Sequence, residues 1–172
     1  MITNTYICSS CCGQTRKPSS CDGCPYYQDS RLRRKYNTLP RCPLQTMENS
    51  DLQDYANAME SELCAFDTRQ EYQLKDESAL RILELLQDKY YFNDINLNSE
   101  DKIIVQGFER VNRAIGEDLP EIPDETISMI IATIYFVAKR RTEGHREYLD
   151  FIHEYVGTRL GTGIRALGKK DL

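Results

Sequence analysis

Five cysteines fall between residues 8 and 24, in the stretch CSSCCGQTRKPSSCDGC. Cys8 and Cys11 form one CxxC pair, Cys21 and Cys24 form a second, and nine residues separate the pairs. Each pair can close a tight knuckle that offers two thiolates to one ion. Two knuckles supply four soft ligands, the donor set of a closed tetrahedral zinc site. A lobe this short has no core of its own, so the metal would provide its folding free energy. Gly13, Pro18, Ser19 and Ser20 in the connecting loop suit the turns it needs. Cys12 adjoins Cys11 and can replace it as a ligand, and Cys42, in LPRCPL, can take one position. Cys24 and Cys42 both precede proline. A Cys-Pro step also occurs in the cysteine runs that hold iron–sulfur clusters, so a [4Fe–4S] cluster is the alternative occupant. Free or redox-active thiols are a third reading. The plainest reading is that zinc closes the lobe and touches no partner.

Catalytic zinc suits this chain less well. It keeps one position open for water and usually draws on histidine or carboxylate. The two histidines, His145 and His153, are far along the chain, and are expected to be a surface and a partly packed residue on the last helix. Cys64, beside Leu63 and Phe66, is expected to be a small core residue.

The second knuckle runs directly into PYYQDSRLRRKY. Pro25 suits the first position of a helix. A helix over residues 25–36 would present Arg31, Arg33, Arg34 and Lys35, with Tyr26, Tyr27 and Tyr36 nearby. This CxxC…CxxC followed by a basic helix resembles treble-clef zinc fingers in a general way, over residues 8–36 only. The resemblance implies a helix whose guanidinium groups contact phosphates and whose aromatics stack on bases. Lys139, Arg140 and Arg141 form a second basic cluster, and Arg165, Lys169 and Lys170 a third. The competing reading pairs these cations with the acidic part of the same chain or with an acidic protein surface. A pI of about 5.2 works against a dedicated nucleic-acid binder, because most of the surface would repel phosphate. The glycines of VGTRLGTGIRALGKK do not make a phosphate loop: the spacing differs from GxxxxGK[ST], and no strand precedes them.

The elements that must carry these groups are helical. From about residue 45 the apolar residues recur at three- and four-residue steps. Asn49 or Ser50 caps a first helix to about Ala65, with Leu52, Tyr55, Met59, Leu63 and Phe66 as its stripe. Asp76 caps a second, to Phe92. The third starts at Ser99, buries Ile104, Phe108, Val111 and Ile115, and ends at Gly116. Asp124 caps ETISMIIATIYFVAKRRTE, which is apolar nearly all round and is expected to be the central helix. Gly144 interrupts it, and a last helix is expected over HREYLDFIHEYVGTRL. The tail from Gly161 is expected to be loosely ordered, and no β pattern is seen in this part of the chain.

The expected fold is therefore mainly α: a small Cys-rich lobe over residues 1–44, zinc-ribbon or treble-clef-like, and a bundle of about five helices over residues 45–172. Charge follows the same division. Residues 1–44 carry seven Lys/Arg against two Asp, residues 45–130 carry seven against twenty Asp/Glu, and residues 131–172 carry eight against five. The acidic helices suit a protein partner and the basic ends suit a polyanion. The longest apolar run, Ile127 to Ala138, is too short and too interrupted for a membrane span. MITNTYICSS has neither a basic start nor an apolar block, so a cytoplasmic location with reduced thiols is expected. These features point to a non-enzymatic zinc-binding regulatory or interaction module. An iron–sulfur protein with an electron-transfer or redox-sensing role, and a helical protein–protein adaptor, are the alternatives.

Overall fold

The computed structural model describes residues 34–43, 49–94, 97, 99 and 101–167. The chain divides into two units, Met1–Lys35 and Tyr36–Leu172, and the second holds almost all the described residues. It is mainly helical, with five α-helices among the described residues: α1 (Ser50–Arg69), α2 (Asp76–Tyr90), α3 (Lys102–Asp118), α4 (Asp124–Arg141) and α5 (Glu147–Tyr155). A two-stranded antiparallel hairpin follows, β1 (Thr158–Gly161) with β2 (Ile164–Ala166). α2 packs along α4 and α3, α1 packs along α3, and β1 lies against α1.

The apolar stripes explain this packing. Met59, Leu63 and Phe66 of α1 are buried, as are Phe108, Val111 and Ile115 of α3. α4 is a core helix, with Ile127, Ile130, Ile131, Ile134 and Tyr135 enclosed. α2 shares that role, burying Leu80 and Leu83 together with Ile82, Leu85 and Leu86 on the flanks. Residues 36–43 also belong to this body. Tyr36 and Leu39 are buried in its core, and the Tyr36 hydroxyl donates to Asp88 Oδ1 at 2.8 Å.

Several helix ends differ from expectation. α1 is capped by Asn49, whose side chain accepts from Asp51 N at 2.8 Å, but it continues to Arg69. α3 is capped by Asp101, which accepts from Ile103 N, so it starts after Ser99. Asp76 does not cap its own helix. Its carboxylate accepts from Tyr148 N and Leu149 N, both at 3.0 Å, and so satisfies the first turn of α5. The last helix stops at Tyr155 because Gly157 adopts φ +83° and its N–H returns to Ile152 O. A Cβ there would meet Ala166 O at 2.1 Å, so only glycine lets the hairpin close against the helix end. The expected helix through Leu160 and the expected loose tail from Gly161 both give way to this hairpin over residues 158–166.

Gly116 lies inside α3, which runs on to Asp118. An added Cβ meets nothing within 4 Å there, whereas at Gly107 it would approach Ile82 Cδ1 to 2.3 Å and Phe66 Cε1 to 2.9 Å. The two glycines of one helix should thus respond oppositely. Gly116→Ala gains helix propensity and should stabilise by about 0.5–1 kcal/mol. Gly107→Ala gains the same propensity but overpacks the α1–α2–α3 junction, at about 1–3 kcal/mol, for a net loss. Urea midpoints of the two variants test this; equal shifts would remove the close approach at Gly107.

Candidate functional site

The candidate ligands Cys8, Cys11, Cys12, Cys21 and Cys24, and the candidate contacts Arg31 and Arg33 after them, lie outside the described residues. Arg34 and Lys35 end the first unit. Cys42, Lys139, Arg140 and Arg141 belong to the helical unit. Cys42 sits at the edge of a small apolar cleft with Leu52, Ala56, Ile130 and Ile134, and its N–H donates to Thr133 Oγ1 at 3.0 Å. Among the described residues no group of three His, Cys, Asp or Glu side chains is placed to hold a metal ion. No helix of the described residues is long and apolar enough to cross a membrane.

The basic cluster at the end of α4 has a composition that the sequence did not reveal. Lys139, Arg140 and Arg141 form the last turn, where cations meet the negative end of the helix dipole. Arg41 joins them from 98 residues earlier in the chain: its Cζ lies 3.9 Å from the centroid of the Phe136 ring. Arg140 Cζ lies 5.4 Å from the same centroid, one helical turn further on. Arg141 turns away and stacks on Phe151 of α5, at 3.6 Å. Arg41, Lys139 and Arg140 are exposed.

Several other described arginines pair with acids instead. Glu62 is buried on α1 and receives Arg69, Arg110 and Arg159 at 3.0–3.4 Å. Arg159 also reaches Asp118 at 2.9 Å and Glu117 at 2.8 Å, and so ties the hairpin to the end of α3. The Asp118 hydrogen bonds raise its pKa further. A cleft of about 340 Å³ with mixed polar and apolar walls opens beside this junction, with Asp54, Asn57, Arg159 and Arg165 among its polar lining and Leu119 and Ile164 among its apolar lining. Arg165 stands across the hairpin from Arg159 and approaches Asp54 at 3.9 Å. A second network joins α1 to α5. Asp67 is fully enclosed, takes Arg146 Nη2 at 2.7 Å and Nη1 at 3.0 Å, and lies 2.9 Å from His153 Nε2.

His153 is therefore a core histidine with a carboxylate partner. His145 lies ahead of α5 and is exposed, so the two do not share a helix face. Cys64 is fully buried and its thiol pKa is pushed well up, first by burial and then by Glu60 and Asp67, as befits an inert core residue. Glu60, one turn earlier, accepts from the Tyr148 hydroxyl at 2.8 Å. Burial pushes its carboxyl up to about 7.

Sequence reasoning missed Arg41, Arg159 and the acids that receive Arg146 and Arg159. Their partners stand 41 to 97 residues away, and no local pattern marks them. No family model matches this chain, and no curated protein and no solved structure proves similar to it, so the site is defined by its own chemistry alone.

Proposed function

We propose that the chain is a non-enzymatic, cytoplasmic interaction or regulatory module. A zinc ion held by Cys8, Cys11, Cys21 and Cys24 folds its N-terminal segment, and its basic groups contact nucleic acid. The observation that carries this reading is the two CxxC motifs nine residues apart in a chain whose other cysteines form no CxxC pair. The cations after the second knuckle, Arg31, Arg33, Arg34 and Lys35, and those ending α4 are the groups offered to phosphate. The helical unit supports a binding role rather than a chemical one: its buried acids Glu62, Asp67 and Asp76 are engaged by guanidinium groups or backbone N–H groups that hold the fold together. The Cys-Pro steps at Cys24 and Cys42 favour a second reading, a [4Fe–4S] protein with a redox role.

Metal analysis and a visible spectrum of the anaerobically purified chain separate the two. The expected result is one zinc per chain and no colour. Chelation should then expose the amides of residues 8–24 to exchange while the helical far-UV signal persists, because the second unit has its own core. Iron and sulfide in a brown sample would replace zinc with the cluster. A colourless, metal-free sample with the same exchange pattern would remove both.

A further inference from the structure

We propose that Arg41 and Arg140, which share the Phe136 ring, form with the neighbouring Lys139 a phosphate-backbone contact for a nucleic-acid strand. The inference rests on the nucleic-acid reading above and locates part of that contact on the helical unit.

Three observations carry it. First, these cations meet no carboxylate among the described residues, in a chain whose net charge is −5. Six other described arginines, Arg69, Arg81, Arg110, Arg146, Arg159 and Arg165, each meet a carboxylate within 4 Å, whereas, among the described residues, Arg141 stacks on Phe151 and Arg113 of α3 meets none; what sets Arg41 and Arg140 apart is that they share one ring. Second, the helix dipole accounts for Lys139 and Arg140 but not for Arg41, which comes from a separate segment. That segment is fixed by the buried Tyr36 and Leu39 on one side and by the Cys42–Thr133 hydrogen bond on the other. Third, the patch suits phosphate better than other anionic surfaces. A protein interface needs an apolar anchor at its centre. Phe136 is half-buried and already carries guanidinium groups, and none of the exposed large apolar side chains belongs to residues 39–43 or 133–141. The same lack of an apolar wedge works against insertion into a lipid surface. Backbone phosphates require only positioned cations. Lys139 marks the limit of the track, since it borders a cleft that also holds Glu77, Glu84 and Asp101.

Each cation that neutralises a phosphate of a single strand contributes about 0.7 to the slope of log K against log salt. Fluorescence anisotropy with a labelled 20-nucleotide oligo(dT), on the metal-loaded full chain, reads that slope. Arg41→Ala with Arg140→Ala should flatten it by about 1.4 and weaken binding at low salt about tenfold or more. Lys75→Ala with Lys102→Ala, which removes the same charge elsewhere, should change the slope by less than about 0.3. Equal losses in the two double variants would reduce the effect to net charge and overturn the proposal. Arg33→Ala with Arg34→Ala runs in parallel. A loss in that variant alone overturns the α4 patch and leaves the N-terminal contact standing. No binding by the wild-type chain, or binding to phosphatidylserine vesicles but not to oligo(dT), overturns both contacts, while zinc content is measured separately.

Discussion

Replacing Asp67 by alanine is expected to cost about 3–5 kcal/mol of folding stability, a large part of the about 5–15 kcal/mol that holds a typical domain folded. Asp67 joins three parts of the fold: α1, α5 and the turn into α2. Its carboxylate takes two hydrogen bonds from Arg146 and lies 2.9 Å from the His153 ring, which fixes α5 against α1. It also accepts from Leu74 N at 3.2 Å, and its carbonyl accepts from Tyr72 N at 2.9 Å. Those bonds hold the turn into α2, where Glu71 and Tyr72 sit at φ +54° and +60°, a conformation that non-glycine residues adopt at a cost. Alanine would leave a largely buried guanidinium and a buried amide without their acceptor. Burial alone would push the Asp67 carboxyl up, but the His153 and Arg146 hydrogen bonds outweigh it and hold the pKa below the ordinary value of 3.8. The unfolded chain therefore binds the proton first, so this contribution is complete above that value and fades as pH falls through the lower folded-state pKa. Urea unfolding at pH 7 checks the magnitude. A loss under about 1 kcal/mol would show that solvent at Arg146 replaces the bond, which partial exposure of that side chain would permit.

The helices were legible because their signal is local. Residues three and four apart must share a face, so Ile104, Phe108, Val111 and Ile115 announce α3 without any knowledge of what they pack against. The two CxxC motifs are local in the same sense, although their residues lie outside the described ones. What stayed hidden depends on long-range partners. Asp76 has the look of a cap for the helix it starts, yet it serves N–H groups 72 and 73 residues away. Lys75 at the cap position of α2 makes no capping side-chain bond, and a sequence rule has no means to foresee that exchange. The hairpin has strands of four and three residues, too short for alternation to register, and its Leu160 and Ile164 remain exposed. It is held instead by Gly157 and by Arg159, whose acids come from α1 and α3. The Arg41–Phe136–Arg140 grouping arises in the same way, from a fold-level meeting of two segments.

Stability should fall as pH rises from about 4.5 to about 7, and Glu60→Gln should abolish that fall. Glu60 places its carboxyl against the Tyr148 hydroxyl, with Cys64 one turn along α1 and the Arg141 charge nearby. Desolvation is the largest influence and favours the neutral acid; the hydrogen bond from Tyr148 and the charge of Arg141 oppose it and do not win. The folded chain thus keeps a proton up to about 7 that the unfolded chain releases near 4.5. Between those values the native state binds more protons than the unfolded state, so stability declines with pH, and above about 7 the loss is complete and constant. The gap corresponds to about 3 kcal/mol for a wholly enclosed carboxyl, and to about 2 kcal/mol for this residue, which retains some exposure. Glutamine keeps an acceptor for the Tyr148 hydroxyl and has no proton to lose. The variant should therefore exceed the wild type by about 0.5 kcal/mol at pH 5 and by about 2 kcal/mol at pH 8. Urea unfolding at pH 5, 6, 7 and 8 reads both profiles. Asp67 does not contribute in this window, because its titration lies at lower pH. Parallel profiles for the two chains would mean that Glu60 ionises in the folded protein at little cost, with water or Arg141 supplying the compensation.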